Sequence, residues 1–207
     1  MKPRVRIVGR SSSSFTRIVR IFAAELGVPY ELRVVPDLLS TKREDYGGNP
    51  ALKLPVLEDA RGTWFGALNI CRQLSLASER PLSVVWPEAL HSPLVANAQE
   101  LTAHALASEV ALVMSTLGGG QGGLDQSKLR QSLLNVLAWL EQNVSSIRAE
   151  LPAERDLSYL EVALFCLVTH LEFRDVLPLS PYPELADFCR TFAERPSARD
   201  TPYEFDS

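Results

Sequence analysis

Polarity alternates along Val5-Arg6-Ile7-Val8, which predicts a short strand. A polar run, Ser11-Ser12-Ser13-Ser14, follows it. Phe15, Ile18, Val19, Phe22 and Leu26 then recur at helical spacing, with Gly27 as a stop, so a helix is expected over Phe15 to Leu26. Tyr30 to Val35 is rich in β-forming residues and predicts a second strand. A helix between two strands implies a crossover, hence a parallel pair. The polar stretch from Pro36 to Asn49 is expected to hold a short irregular helix around Lys42 to Tyr46. Val56-Leu57-Glu58 and Thr63-Trp64-Phe65 flank the turn Asp59-Ala60-Arg61-Gly62 and predict a hairpin. A helix from Ala67 to about Ser78 closes the unit. The resulting order is β-α-β-α-β-β-α, an α/β domain with a mixed sheet and helices on its faces.

From Leu90 onward no strand is expected. Three long helical patterns cover His91 to Leu117, Asp125 to about Leu151 and Ser158 to Arg174, and a shorter one covers Glu184 to Glu194. The domain expectation is therefore an α/β domain over 1–78, a linker over 79–90 containing Pro81 and Pro87, and an all-α helical bundle over 91–207. The glycine cluster from Gly118 to Gly123 lacks a preceding strand and a Gly-Lys-Ser/Thr ending, so it reads as an interhelical turn rather than a phosphate cradle. Ser158-Tyr159-Leu160-Glu161 has capping-box spacing, in which Ser158 accepts from the amide of 161 and Glu161 reaches back.

Composition narrows the function classes. The 207 residues are 46% apolar and 22% charged, an ordinary folded balance, with a net charge of −4. An acidic chain of this kind argues against nucleic acid as a partner. No apolar run approaches the roughly 18–20 residues of a membrane span. Met1 leads directly into the first strand without a signal core, which makes a cytoplasmic location the expectation. Cys71, Cys166 and Cys189 are odd in number and widely spaced, so they form no disulfide framework, and no Cys/His spacing suits a metal.

Lys53-Leu54-Pro55-Val56-Leu57 is the most informative run of the first half. A proline at the start of a strand donates nothing to the ladder. If its bond is cis, the chain turns and presents the Leu54 N–H and C=O to an extended, peptide-like ligand. On this run, within the longer Asn49-Pro50-Ala51-Leu52-Lys53-Leu54-Pro55-Val56-Leu57-Glu58-Asp59, the chain resembles the cytosolic glutathione S-transferase superfamily. Ile70-Cys71-Arg72, the Ser158 box, Tyr182-Pro183-Glu184-Leu185 and Glu194-Arg195-Pro196-Ser197 extend the resemblance over both halves. It implies a thioredoxin-like glutathione-binding domain followed by a helical domain that carries an electrophile pocket.

The resemblance also implies roles. Ser13-Ser14-Phe15 with Val19-Arg20 is similar to the Ser/Cys-Pro-Phe pattern of the Ser-type, bacterial-like branch. Ser13 then takes the catalytic position, with Ser11 or Ser12 as alternatives, and Thr16 in place of a second cysteine excludes a dithiol mechanism. Phe15, Lys42, Lys53, Leu54, Pro55, Gly66 and Ala67 are the implied glutathione-binding positions. Gly66-Ala67 stands where the family usually has Glu/Gln-Ser, so two side-chain contacts to the glutamyl end are missing. His104, Ala107, Val110 and Ala111 are candidates for the hydrophobic-substrate pocket, although the pattern does not separate pocket from core. The implied function is conjugation, or peroxide-type reduction, of a small hydrophobic electrophile with glutathione as cosubstrate, in a homodimer. The alternative is a non-catalytic binding or regulatory protein that keeps the fold. A third reading is a transferase for another thiol or acidic ligand.

Overall fold

The computed structural model describes residues 5–117 and 124–206. The chain divides into two compact units, one built from the chain up to Pro81 together with Arg195 onward, the other from Leu82–Glu194. Residues 195 onward, expected with the helical domain, thus group with the α/β unit.

The first unit contains β1 (Val5–Gly9), α1 (Ser14–Glu25), β2 (Tyr30–Val34), a single 3-10 turn (Arg43–Tyr46), β3 (Val56–Asp59), β4 (Gly62–Phe65) and α2 (Ala67–Ala77). The sheet order is β2-β1-β3-β4. β1 and β2 are parallel, while β3 runs antiparallel to both β1 and β4. This is the mixed sheet expected from the pattern, and the short irregular helix expected around Lys42 to Tyr46 is a 3-10 turn. The apolar stripe of α1 explains why that helix forms: Ile18, Val19, Ile21, Phe22 and Leu26 are buried. α2, with Ile70, Cys71 and Leu74 buried, packs on α1, and Ile7, Val8 and Leu57 of the sheet are buried as well. Each such side chain contributes about 1.5–3 kcal/mol by leaving water.

The second unit contains β5 (Val84–Val85), a 3-10 turn (Pro87–Ala89), α3 (Pro93–Leu117), α4 (Leu124–Glu150), β6 (Leu157–Ser158), α5 (Tyr159–Phe173) and α6 (Pro183–Phe192). Expectation needs two corrections here. β6 lies beyond Leu90 and pairs in parallel with β5, a match braced by the Ser83 amide donating to Asp156 Oδ2 at 2.6 Å. The Ser158 capping box does not form: Ser158 caps α5 with its backbone only, and its buried hydroxyl has no partner among the described residues. Glu161 is instead held by Arg155, at 2.8 and 2.7 Å, and two charge-assisted bonds outcompete one neutral amide. That pairing also holds the Arg155 pKa above its ordinary value. α5 is buried nearly all round, as its apolar run predicts. Inside this unit Glu109 of α3 pairs with His170 of α5, both buried. The glycine cluster from Gly118 to Gly123 lies outside the described residues.

A final short helix, α7 (Pro196–Arg199), belongs to the first unit and packs on α1.

Candidate functional site

Strand register brings the β1–α1 loop, the Leu54–Pro55 step and the start of α2 to one end of the sheet. Gly9 ends β1 opposite Val34 at the end of β2. Val8 pairs with Val56, so the β1–α1 loop leaves beside the Leu54–Pro55 step that enters β3. Val56 pairs with Phe65, so Gly66 and the start of α2 emerge at the same end. Val8, Val35 and Val56 form the apolar floor there, with Leu54 packed against it.

The start of α1 is closed by hydrogen bonds. Ser13 is the N-cap, with extended backbone, and its hydroxyl accepts from the Thr16 amide at 3.3 Å. Its own amide donates to the Arg10 carbonyl at 3.2 Å. Gly9 is required for this closure: a Cβ there would lie 2.6 Å from two side-chain atoms of Thr16. Among the four serines, Ser11, Ser12 and Ser14 are buried, while Ser13 is half-buried. The serine whose hydroxyl caps the helix is therefore the least buried of the four. Phe15, the second residue of the helix, is half-buried as well.

The Leu54–Pro55 peptide bond is cis. Among the described residues no group hydrogen-bonds the Leu54 backbone, while the preceding Lys53 carbonyl is taken by Asn49 Nδ2 at 2.8 Å. Asn49 also accepts from the Ala51 amide at 3.0 Å and so fixes the approach to the proline. Lys53 and Lys42 are exposed, and neither ammonium is paired among the described residues.

The start of α2 is bare. Gly66 is its N-cap at φ 82°, a left-handed conformation that favours glycine, and no side chain caps the helix. The first intrahelical bond runs from the Ile70 amide to the Gly66 carbonyl, which leaves the amides of Ala67, Leu68 and Asn69 without helical partners.

In the second unit His104, Ala107 and Ala111 are exposed and Val110 is half-buried on α3, whereas Ala98, Thr102, Ala105, Leu106 and Glu109 face that unit's own core. The four candidates are thus off the core, a distinction the sequence left open. His104 pairs with Glu100 one turn away at 2.9 Å, both well exposed.

The sequence profile of the glutathione S-transferase N-terminal domain matches residues 12–75. The match is confined to this N-terminal region, less than a third of the chain. No curated protein matches the chain at the sequence level. Solved glutathione S-transferases share its fold along almost the whole length. One, from Methylobacterium radiotolerans in complex with glutathione sulfonate, is 23% identical, with a TM-score of 0.75 over 99% of this chain and 97% of its own. Another, from Methylobacillus flagellatus with glutathione bound, is 21% identical, with a TM-score of 0.76 over 97% and 100%. The Tau-class enzyme of mango is 20% identical, with a TM-score of 0.71 over 97% and 93%.

Sequence reading missed one part of this candidate site. The Asp206 carboxylate, nearly buried, receives the Ser11 amide on both oxygens, at 3.1 and 2.9 Å, and lies 3.3 Å from Arg10 Nε. No local pattern could have linked Arg10 to Asp206, which is almost the whole chain away.

Proposed function

We propose that the protein binds glutathione at this end of the sheet and activates its thiol with Ser13. The reading rests above all on Ser13: its oxygen accepts from the Thr16 amide, so its hydroxyl proton stays free to donate to a sulfur. A thiolate at that place also sees the positive end of α1. Both effects favour the thiolate over the thiol and lower the thiol pKa.

The remaining contacts follow the ligand's length. Its cysteinyl amide pairs with the open Leu54 backbone ahead of Pro55, as an added strand would. Lys53 and Lys42 offer two unpaired ammonium groups to the glycyl carboxylate, and Phe15 supplies an apolar contact. The glutamyl carboxylate meets only the bare amides at the Gly66-Ala67 start of α2. The thiolate sulfur then forms a bond to an electrophilic carbon, whose leaving group departs with its electron pair while the thiol proton passes to water. In the peroxide-type reaction, two glutathiones become a disulfide and the peroxide becomes an alcohol and water. The electrophile belongs with the off-core face of α3 that carries His104, Ala107, Val110 and Ala111. A cytoplasmic location and a homodimer are part of the same proposal, and the homodimer rests on the family resemblance. Among the described residues no helix is long and apolar enough to cross a membrane. Gly66-Ala67 favours a second reading, a binding or regulatory protein without turnover.

Isothermal titration with reduced glutathione tests the proposal. Binding at or below about millimolar affinity is expected, and in Ser13→Ala the bound thiol should titrate about 1–2 pH units higher, the equivalent of one lost bond to a charged group. An absence of binding up to tens of millimolar overturns it.

A further inference from the structure

We infer that Asp206 is a positioning residue for Ser13: by holding the Ser11 amide and Arg10, its carboxylate fixes the loop that aims the catalytic hydroxyl. The inference rests on the assignment of Ser13 above. Residues 195–206 run as a strap along α1 in the opposite direction. At the far end of α1, Arg195 Nε and Ser197 Oγ bind Glu25 Oε1 at 2.8 and 2.6 Å. At mid-helix, the buried Arg17 donates to the Ala198 carbonyl at 3.2 Å and stacks over Tyr203 at 4.3 Å. The strap ends at the start of α1, on Ser11 and Arg10.

Arg10 turns this contact into a clamp. Its Nη2 donates to the Asp206 carbonyl at 3.2 Å, and its Nη1 donates to the Val35 and Pro36 carbonyls at 2.9 and 3.0 Å. One guanidinium thus ties the end of β2 to the end of the strap. Its backbone carries the carbonyl that accepts the Ser13 amide, and its own amide reaches Thr16 Oγ1 at 3.5 Å. A loop of consecutive serines has no apolar side chain to fix it by packing, so its shape depends on these bonds. Ser11 is buried, and without Asp206 its amide loses its acceptor in a place closed to bulk water.

Charge and positioning predict opposite outcomes, which makes the inference testable. As a bare negative charge, Asp206 would disfavour a thiolate nearby, so its removal would lower the thiol pKa. As a positioning residue, its removal must raise it. We therefore expect Asp206→Ala to move the pH profile of kcat upward by about one unit and to lower kcat about tenfold near neutral pH, with KM for glutathione changed less than twofold. Asp206→Asn keeps one acceptor oxygen and should show less than half of the shift. Amide hydrogen exchange supplies a readout that needs no ligand: the Ser13 and Thr16 amides should exchange at least tenfold faster in Asp206→Ala, with the β3 amides unchanged. A downward pKa shift overturns the inference in favour of charge. A lowered Tm with unchanged profile and exchange overturns it in favour of a strap that only stabilises. If the wild-type protein fails to bind glutathione, the proposed function falls and the exchange rates alone decide this inference.

Discussion

The starts of α1 and α2 lie at the same end of one sheet, and they are built in opposite ways. α1 begins with a hydroxyl cap, a loop closed by backbone bonds and a salt-bridged carboxylate behind it. α2 begins with a glycine of positive φ and no side-chain cap. The difference separates two tasks that a helix start can perform. Lowering a thiol pKa needs one donor aimed at one atom, which is a matter of geometry. Holding a carboxylate needs only several amides and a positive dipole end, which the backbone of any helix supplies. On the proposed function, the chain keeps the elaborate arrangement where aim matters and reduces the other to backbone.

The comparison can be broken most severely at Gly9. A Gly9→Val side chain would collide with Thr16 and open the start of α1. Overpacking of this kind costs about 1–3 kcal/mol, and thermal unfolding should show it as a lowered Tm, together with loss of thiol activation. Gly66→Val should be milder, since no atom lies within 4 Å of the added Cβ and only the backbone conformation is strained. Ser13→Ala comes next, with the thiol pKa rise of about 1–2 units stated above. Ala67→Ser works in the other direction and restores a hydroxyl to the bare start. Titration calorimetry should record glutathione binding about tenfold tighter, the yield of one bond to a carboxylate at the low end of its range.

The smallest effect concerns the segment that carries Lys42. Tyr46 donates to the Leu38 carbonyl at 2.8 Å, and burial, with Asp37 and Asp45 nearby, pushes its phenol pKa up. A raised folded pKa means that the neutral phenol stabilises the fold below about pH 10, where the unfolded phenol begins to ionise, and that this contribution is lost as pH rises through the folded value. Tyr182, also raised by burial, acts in the same sense. Tyr46→Phe should lose about 1 kcal/mol near neutral pH and flatten part of the alkaline decline in a denaturant series.

Local order was legible from sequence wherever one face of an element is buried. The α1 stripe from Phe15 to Leu26 and the apolar α5 declare themselves by periodicity, because burial imposes it. The β5–β6 pair was not legible: two-residue strands carry no period, and their partners lie far apart in sequence. The Ser158 box failed for a related reason, since the competing Arg155 enters only once the chain has folded. At the site, the serine run marked the start of α1 and the resemblance pointed to Ser13, but its capping bond and its lesser burial come from the folded chain. The off-core placement of His104, Ala107 and Ala111 needed the packing of α3, whose apolar residues point several ways. Arg10 and Asp206 meet through tertiary structure and leave no trace in spacing.

The strap also carries a consequence for the order of events during synthesis. The α/β unit is discontinuous in sequence, and the whole helical unit is spelled between its two parts. A nascent chain can assemble the sheet, α1 and α2 early, but Arg10, Arg17 and Glu25 must wait for partners that leave the ribosome only after the helical unit has emerged. The loop before α1 is thus among the last features of the molecule to be finished, and a half-made protein does not yet hold it in its final shape.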